Sequence, residues 1–366
     1  MKVSVITRHA ITNYGSLLQA LATQVVLERL GVECEIVDYI REDESYKKLE
    51  ITLLKRKQEW YNNPVKRMIY LALRQPESVL AGYKFEKQRN KLLKLSRKYT
   101  SLAELEKFPP EADIYLTGSD QVWGPMADGT FDSVYCLSYV PEGKKRIAYA
   151  ASFGYTKMQG DLKNYYRKHL SQYNAITVRE DSAKEMLRSI DIMSEQVIDP
   201  TLLLSQKDWE TYIEPTRQRN YVLVYQLHND PRVGVYAEKY AKEKGLPLLR
   251  ISPSIHQVTR PGKLVWCPTI GEFLGYIQNA ECLITDSFHG TVFAINFDVP
   301  FVEVLPTNGT KSRNVSILRM LSLKERILDE NNGNALLTKQ IDYAKVNDLL
   351  ENERTRSLNI LKQLIS

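Results

Sequence analysis

Short apolar, β-branched runs alternate with segments of helical periodicity along most of the chain. In the first half, the apolar runs predict strands at residues 3–7, 35–38, 114–117, 147–151, 175–178 and 196–198. Positions 17, 21, 25 and 30 are apolar at near-helical spacing, so residues 16–30 are predicted to form a helix that stops at Gly31. Further helices are predicted around Leu162 and Ala183. The first strand, the helix and the second strand therefore form a βαβ unit.

A second alternation of strands and helices begins after Asp199-Pro200. It predicts strands at residues 221–225, 247–251, 264–266, 282–285 and 301–304, most of them separated by helices around Tyr236, Phe273, Phe293 and Leu318. Two successive blocks of this kind predict an α/β protein with two Rossmann-like, doubly wound domains and mostly parallel sheets. The predicted domains are residues 1–204 and 205–341, and residues 342–366 are expected to form a helix that packs back on the first domain.

Composition and the N-terminal residues narrow the class of protein. The 366 residues are 43% hydrophobic and 26% charged, which is average for a folded protein and excludes a disordered or fibrous chain. No apolar run approaches the roughly 18 residues of a membrane span, and the first residues resemble a strand more than a signal peptide. We therefore expect a cytoplasmic protein whose four scattered cysteines are buried thiols.

The net charge of +6 is concentrated in one segment. Residues 41–99 contain 16 Lys and Arg against 7 Asp and Glu, a net charge of +9, so the rest of the chain carries −3. This segment is predicted to be a basic helical insertion in the first domain, with residues 89–98 as a cationic helix. Such a block can contact nucleic acid, an anionic membrane or an anionic substrate, or it can be a solvated helical face.

The strand ends of the second domain carry the sharpest candidate chemistry. Ligands of parallel sheets bind beyond the carboxyl ends of the strands, so we expect the site in a cleft between the two sheets. The strand at 282–285 is followed by Asp286 and Ser287, either of which can cap the next helix. His289 falls in the first turn, where the helix dipole attracts anions and an imidazole can exchange a proton. Gly290 is expected to let a ligand approach the backbone. The alternative is a capped helix with a packed histidine.

In the first domain, Arg179 follows the strand at residues 175–178. A guanidinium is a good partner for a carboxylate or a phosphate, and it stays charged when water is excluded. The alternative is an arginine whose charge is satisfied by Glu180, Asp181 or another acid of the protein. Both interpretations stay open at this point.

Two polar loops of the first domain suit a sugar. The strand at residues 114–117 runs into a loop that contains Ser119, Asp120, Gln121 and Trp123. Hydroxyl, carboxylate and amide groups beside an aromatic face can bind the hydroxyls and the C–H faces of a sugar. The alternative is a tight turn with a core tryptophan. The N-terminal pair Asn13-Tyr14 has a similar and weaker pattern.

Several motifs of other enzyme classes are missing from the sequence. It contains no GxxxxGK[ST], no GxGxxG after a strand and no GxSxG. Nucleoside triphosphate hydrolysis, dinucleotide chemistry and serine hydrolysis therefore lack support. No His, Cys and Asp cluster has the spacing of a metal site, so we predict no metal.

Six motifs in this order resemble the polysaccharide pyruvyl transferase family. They are residues 13–19 (NYGSLLQ), 117–123 (TGSDQVW), 149–154 (YAASFG), 178–180 (VRE), 199–204 (DPTLLL) and 285–291 (TDSFHGT). The resemblance runs from about residue 3 to about residue 323, without the basic insertion and the final helix. It implies a fold like that of the GT-B glycosyltransferases, with two Rossmann-like domains facing across a cleft.

The resemblance also implies an activity and a donor. The family transfers pyruvate from phosphoenolpyruvate onto two hydroxyls of a sugar, which gives a cyclic ketal and phosphate, so we expect a ketal-forming pyruvyltransferase of a bacterial capsule or exopolysaccharide. Phosphoenolpyruvate is the donor substrate, and no cofactor is expected. Family acceptors include galactose, glucose, mannose and N-acetylmannosamine units, and no motif indicates an oligomeric state.

Site roles follow from the same resemblance. His289, Arg179 and the backbone at Phe288 match family positions that contact phosphoenolpyruvate, and Arg313 resembles a further family position. We expect His289 to be the general acid or base, Arg179 and Arg313 to hold the donor, and Asp120 to assist at the acceptor hydroxyl. The remaining predicted contacts are Ser287 and Gly290 for the donor, and Asn13, Tyr14, Ser119, Gln121 and Trp123 for the acceptor.

Two other functions fit the same fold. A GT-B glycosyltransferase that uses a nucleotide sugar is the main alternative, although we find no convincing ribose-binding acid in the second domain. A sugar-binding protein without catalysis is the third. Because the matched region is mildly acidic, we expect no nucleic acid partner. If the acceptor is a lipid-linked oligosaccharide, residues 41–99 are predicted to contact anionic lipid or a pyrophosphate linker at the inner face of the membrane.

Overall fold

The computed structural model describes residues 1–216, 218–307 and 309–366. It divides into two compact units. The first unit contains Met1–Pro200 together with Asn359–Ser366, and the second contains Thr201–Leu358. Each unit is built around a parallel sheet of the kind that the alternating sequence pattern predicts.

The first unit has a seven-stranded sheet in the order β3-β2-β1-β4-β5-β6-β7. All of its paired neighbours run parallel. The strands are β1 (Lys2–Ile6), β2 (Glu33–Tyr39), β3 (Leu95–Tyr99), β4 (Ile114–Thr117), β5 (Lys145–Ala151), β6 (Ala175–Val178) and β7 (Glu195–Gln196). The strand order reverses between β1 and β4, as in a Rossmann-type sheet.

The helices of the first unit connect these strands. They are α1 (Tyr14–Arg29), α2 (Leu49–Lys55), α3 (Gln58–Asn62), α4 (Pro64–Leu92), α5 (Leu102–Lys107), α6 (Asp161–Leu170) and α7 (Asp181–Arg188), and α8 (Pro200–Leu203) leads into the second unit. Asn13 caps α1, since its side-chain oxygen accepts from the backbone N–H groups of Gly15 and Ser16 at 2.9 and 3.4 Å. This cap starts α1 two residues earlier than predicted.

The second unit has a five-stranded parallel sheet in the order β10-β9-β8-β11-β12. Its strands are β8 (Val222–Tyr225), β9 (Leu248–Ser252), β10 (Lys263–Trp266), β11 (Cys282–Thr285) and β12 (Phe301–Glu303). Its helices are α9 (Gln206–Glu210), α10 (Pro231–Lys244), α11 (Ile270–Gln278), α12 (Phe288–Asn296), α13 (Lys311–Met320) and α14 (Tyr343–Ile365), whose last residues belong to the first unit. Here the order reverses between β8 and β11.

The central strands are apolar along their whole length because helices cover both faces of a parallel sheet. Every residue of β4, β8 and β11 is buried. All four cysteines are buried as predicted, and two of them, Cys34 and Cys282, lie in strands. No helix among the described residues is long and apolar enough to cross a membrane.

The basic insertion is shorter and less helical than predicted. Helix α4 ends at Leu92, and the next residues turn into β3, which pairs with β2 at the edge of the first sheet. The backbone N–H of Lys94 donates to the Gln24 side chain at 2.7 Å, and its carbonyl accepts from Ile36 at 2.8 Å. The expected helix at residues 89–98 is therefore wrong, because these pairings extend the chain from Lys94 onward.

Candidate active site

The loops at the two points where the strand order reverses carry most of the predicted site residues. In the first unit these loops follow β1 and β4, and in the second they follow β8 and β11. Ligands of open α/β sheets bind at such points because the loops diverge and helix N-termini open toward the gap. The second unit holds the predicted catalytic histidine.

His289 lies in the first turn of α12, in a loop that is fixed on both sides. Ser287 is the N-cap, and its hydroxyl accepts from the Gly290 backbone N–H at 3.3 Å. The Ser287 N–H donates to the Thr285 hydroxyl at 3.0 Å, and that hydroxyl donates to the Tyr225 carbonyl at 2.6 Å. His289 itself is 6% exposed, and its ring contacts Phe288 edge-on at 5.1 Å between centroids.

Asp286 does not cap α12, although the sequence allowed either Asp286 or Ser287 to do so. Its carboxylate reaches back to the loop after β8, where it accepts from the backbone N–H groups of Leu227 and His228 at 2.7 and 2.9 Å. It also lies 3.3 Å from the imidazole Nδ1 of His228. The Asp286 carboxylate therefore connects the loop after β11 to the loop after β8, the two loops at the point where the strand order reverses.

Arg313 lies beside the His289 turn, on the first helical turns of α13. Its guanidinium carbon is 5.9 Å from the centre of the Phe288 ring, a cation–π distance. Its Nε donates to the Thr310 carbonyl at 3.3 Å. Three residues that the sequence placed in a donor site, His289, Phe288 and Arg313, are thus brought together within one unit.

Glu303 is a buried carboxyl group that the sequence analysis did not single out. Its two oxygens accept from the Thr291 hydroxyl and from the Asn314 amide, the latter at 2.6 Å. Burial raises the pKa of Glu303 to about 8, although these hydrogen bonds and the charge of Arg313 lower it in part. The sequence signal was a glutamate that ends the apolar run of β12.

His228 is a second residue of this region that was not predicted as a site residue. It follows β8, and its Nε2 lies 3.4 Å from the hydroxyl of Thr310. Together with the Asp286 contact, this places the imidazole between the loop after β11 and the residue before α13. No local motif marks this histidine, because its two partners come from two other segments of the chain.

Gly290 has a packing role that differs from the predicted one. A Cβ at this position would lie 2.6 Å from the Thr285 hydroxyl oxygen and 3.2 Å from the Tyr225 ring. The close approach that requires glycine is therefore the packing of α12 against β11 and β8. The predicted approach of a ligand is not needed to explain this glycine.

In the first unit, Arg179 is surrounded by carboxylates. Its Nη1 lies 2.7 Å from Asp199, its Nη2 lies 3.7 Å from Asp120, and its Nε lies 3.7 Å from Glu180. Burial alone would lower the pKa of Arg179, but the three acids raise it above its ordinary value. The structure therefore shows the guanidinium paired with acids of the protein, as the alternative described, and donor binding by Arg179 stays a prediction.

Asp120 joins this cluster from the loop after β4. Its carboxylate accepts from the Ser16 hydroxyl at 2.6 Å, and Ser16 lies in the first turn of α1 that Asn13 caps. Its backbone has a φ of 76°, in the left-handed region that residues other than glycine rarely adopt. Ser119 is fully buried and donates to Asp199 at 2.8 Å.

Two aromatic residues predicted to bind the acceptor lie in the core, which corrects their predicted role. The Trp123 indole packs on Phe153 at 5.1 Å and donates to the Tyr135 carbonyl at 3.3 Å. The Tyr14 ring is fully buried and packs on Phe85 at 4.9 Å. Neither ring presents a face to a sugar, because side chains of the core already cover the Trp123 indole and the Tyr14 ring.

Gln121 lies beside Trp123 in the sequence but is only half-buried. Its side chain covers Gly154, where a Cβ would lie 2.6 Å from the amide nitrogen. Gln121 is still predicted to contact the acceptor.

Among residues 1–216, 218–307 and 309–366, no group of three or more His, Cys, Asp or Glu could hold a metal ion.

A family model described as polysaccharide pyruvyl transferase matches residues 13–308 of the chain. The chain belongs to this family. The match includes the loops after β4, β8 and β11 and helix α12. All candidate residues from Asn13 to Glu303 therefore lie inside it, and Arg313 lies just beyond it. Membership of the polysaccharide pyruvyl transferase family makes the protein a transferase that acts on polysaccharide. No curated protein matches the chain significantly.

Solved structures similar to this family member show its fold. The UDP-GlcNAc 2-epimerase of Methanocaldococcus jannaschii, in complex with UDP-GlcNAc and UDP, has a TM-score of 0.53 at 13% identity, with 99% of each chain covered. A putative UDP-N-acetylglucosamine 2-epimerase from Listeria monocytogenes has a TM-score of 0.52 at 13% identity, with 99% of this chain and 90% of that chain covered. Both have the GT-B fold, which confirms the predicted class of two Rossmann-like domains.

Proposed function

We propose that the protein transfers the pyruvyl group of phosphoenolpyruvate onto two hydroxyls of a sugar in a bacterial surface polysaccharide or its lipid-linked precursor. The product is a cyclic ketal, phosphate is released, and the reaction needs no cofactor beyond the donor substrate. The observation that carries this proposal is the His289 turn: an imidazole in the first turn of α12, beside Arg313, in a chain of the pyruvyl transferase family.

The second unit has the positive charge that this donor needs. Phosphoenolpyruvate carries a phosphate and a carboxylate, and fixed cations and a helix N-terminus bind such groups. Arg313 is held in place by the Phe288 ring and the Thr310 carbonyl. Since burial raises the pKa of Glu303 to about 8, this neighbouring carboxyl group is largely neutral at pH 7. Donor contacts from Ser287, Phe288 and Gly290 remain predictions.

His289 is proposed as the general acid and base. A protonated imidazole gives its proton to the methylene carbon of phosphoenolpyruvate, which leaves oxocarbenium character at C2. A sugar hydroxyl attacks C2 and loses its proton to the neutral imidazole. The C2–O bond to phosphate then breaks, the second hydroxyl closes the ketal, and its proton leaves with the phosphate. His289 therefore gives one proton to carbon and takes one from the first hydroxyl, so it ends in the protonation state in which it began.

Asp120 is proposed to orient or deprotonate an acceptor hydroxyl. Its carboxylate is fixed by Ser16 and by the positive charge of Arg179. Arg179 is then a positioning residue for Asp120, since three acids already lie around its guanidinium. We propose this role in place of direct donor binding, because the ion pairs with these acids leave less of the guanidinium charge available to phosphoenolpyruvate.

The decisive test is a product assay with defined donors. The protein is incubated with phosphoenolpyruvate and a panel of glycans, and released phosphate and a gain in sugar mass are measured together. We expect both products to appear with one class of glycan and to be lost in His289→Ala. Product that forms only with a nucleotide sugar would show a glycosyltransferase instead, and glycan binding without any product would show a sugar-binding protein.

We also propose that the insertion contacts an anionic membrane, which would bring a lipid-linked acceptor to the enzyme. One face of α4 carries a stripe of exposed apolar residues, each 47 to 66% exposed: Val65, Met68, Ile69, Leu73, Leu80 and Tyr83. Their spacing puts them on one side of the helix. The opposite face, with Ala81, Gly82 and Phe85, packs on the first unit.

The charge around the stripe favours a lipid surface over a second protein. Lys66, Arg74, Lys84 and Lys87 lie on the same helix, and residues 41–99 carry a net charge of +9. Apolar side chains that enter the interface and basic side chains that meet anionic headgroups are the two parts of peripheral membrane binding.

Vesicle sedimentation tests this contact. The protein is expected to bind vesicles that contain anionic lipid and to lose binding in Val65→Asp/Leu73→Asp. Val235→Asp is the matched control, because Val235 is a 67% exposed valine on α10, outside the stripe. Binding that survives the double substitution, or dimerisation through α4 without vesicle binding, would refute the proposal.

A further inference from the structure

The second unit contains a pair of arginines without an acidic partner. Arg250 lies in β9 and is fully buried, and Arg260 follows the 3₁₀ turn Ile255–Thr259 and is half-buried. Both guanidiniums donate to the same oxygen, the side-chain carbonyl of Gln226, at 2.8 and 3.1 Å. Two positive charges therefore meet at one neutral acceptor.

The other hydrogen-bond partners of the pair are neutral as well. Arg250 donates to the Pro261 carbonyl at 2.9 Å and to the Gln257 side chain at 3.3 Å, and Arg260 donates to the Asn229 side chain. Across the described ranges, no carboxylate lies within 4.0 Å of either guanidinium. The nitrogen Nη2 of Arg250 is buried and has no hydrogen-bond partner among the described residues.

Such an arrangement is costly as it stands. A buried charge needs a counter-charge or a full set of hydrogen bonds, and two like charges side by side repel each other. Burial and the charge of Arg260 lower the pKa of Arg250 to about 10, and the more distant Asp286 offsets this only in part. An anion that contacts both guanidiniums would remove the repulsion and supply the missing acceptor.

We propose that Arg250 and Arg260, with Gln226 between them, form a binding site for a phosphate group. Guanidiniums bind phosphate with paired N–H donors, and two of them can share its oxygens. The single Gln226 oxygen is shared by the two guanidiniums, whereas a phosphate group offers several oxygens and a negative charge, so each side chain can donate to an oxygen of its own.

The position of the pair relates it to the candidate active site of the same unit. Gln226 directly follows β8, Arg250 lies in the neighbouring β9, and His289 follows β11 on the other side of β8. The strands β9 and β11 are two spacings, or roughly 10 Å, apart. The phosphate therefore belongs either to the donor or to a diphosphate that carries the acceptor. The assignment to these two substrates rests on the proposed function, whereas phosphate binding itself does not.

Thermal unfolding with and without anions tests the site. Wild type, Arg260→Gln and the control Arg319→Gln are heated in potassium chloride or in inorganic phosphate, phosphoenolpyruvate or uridine diphosphate at equal ionic strength. Arg319 is an exposed arginine on α13. A ligand that binds only the folded state should raise the Tm of wild type and control by about 2 °C or more at saturation. Arg260→Gln should lose most of this rise.

The chloride samples separate loss of the site from loss of the fold. Without phosphate, Arg260→Gln should melt at the same temperature as wild type or higher, because the substitution removes a like charge. A rise with phosphate and phosphoenolpyruvate assigns the site to the donor. A rise with uridine diphosphate alone assigns it to a diphosphate, either of a carrier or of the nucleotide sugar that a glycosyltransferase would use, and the product assay separates these two.

The proposal is overturned if no anion raises the Tm of wild type beyond chloride, or if Arg260→Gln keeps the full rise. Pyruvyl product is measured on separate samples. Phosphate binding without product would count against the proposed function and leave the site standing, and product formation without any phosphate-dependent rise would do the reverse.

Discussion

Arg179, which directly follows β6 in the first unit, and Arg250, which lies in β9 of the second, are both buried arginines, yet their surroundings carry opposite charge. Arg179 lies within 4 Å of Asp120, Glu180 and Asp199. Arg250 has amide and carbonyl partners and a second arginine beside it. A buried arginine therefore marks an anion site only when its own protein does not already neutralise it. By this criterion we expect the proposed anionic donor to bind in the second unit and an uncharged hydroxyl in the first.

The largest effect that would test this comparison is on the rate. If donor chemistry belongs to the second unit, His289→Ala should lower kcat by about 10²- to 10⁴-fold, the usual contribution of a general acid or base. The measurement is phosphate release at saturating phosphoenolpyruvate and acceptor. Near-normal turnover in this variant, with ketal product verified by mass, would remove His289 from the mechanism.

The next effect concerns the stability of the first unit. Arg179→Ala leaves three buried carboxylates without their cation, so it should lower the free energy of unfolding by about 3–5 kcal/mol. The measurement is a urea titration, with the exposed Arg188→Ala on α7 as the control.

The same variant separates a positioning role from donor binding. If Arg179 positions Asp120, Arg179→Ala should lower kcat and leave the KM for phosphoenolpyruvate close to wild type. Both constants are measured on the fraction of the protein that stays folded. Arg179→Lys, which keeps the charge, should recover part of both losses. A large rise in donor KM with unchanged stability would instead restore Arg179 to the donor site.

A smaller effect is expected for Arg313. Losing a hydrogen bond to a charged group costs about 1.5–3 kcal/mol, so Arg313→Gln should raise the KM for phosphoenolpyruvate roughly 10- to 100-fold. The acceptor KM should change little, and Arg319→Gln on the same helix is the control. Equal changes in both KM values would show that Arg313 acts on the whole unit and not on the donor.

The smallest effect is a dependence of stability on pH. Because the folded-state pKa of Glu303 is raised to about 8, the folded protein binds more protons than the unfolded chain between roughly pH 4.3 and this value. Stability should therefore fall as the pH rises through this window, by at most about 1.4 kcal/mol per pH unit. Glu303→Gln should flatten the slope, whereas the exposed Glu238→Gln should keep it. An unchanged slope in Glu303→Gln would mean that this carboxylate is ionised at neutral pH and that the donor region is less positive than proposed.

The sequence predicted the sheets well because their strands are apolar on both faces. Every predicted strand has a counterpart, and the strand that was missed is β3. Its sequence, Leu95-Ser96-Arg97-Lys98-Tyr99, lacks an apolar run and continues the basic pattern of α4. Edge strands carry such charged residues because they discourage pairing with another chain, so their composition hides them.

Contacts of the candidate site could be predicted where they lie within one segment of the chain, and less well where they join residues from several segments. The His289 turn lies in one motif, and its capped helix start follows from Ser287. Glu180 is next to Arg179 in sequence, but the other two acids of the cluster, Asp199 and Asp120, come from loops that are 20 and 59 residues away. Nothing local indicates that they converge, and nothing local shows whether the ring of Trp123 turns toward a ligand or toward the core.

The positive φ of Asp120 has a consequence for engineering this enzyme. A non-glycine residue held in that region costs on the order of 1–3 kcal/mol, and glycine would relieve most of it. Asp120→Gly would relieve this strain, but it would also remove the hydrogen bond from Ser16 and the ion pair with Arg179. The strain is therefore retained together with a carboxylate that its neighbours hold in place, so a thermostable form of the enzyme has to find its stability elsewhere in the chain.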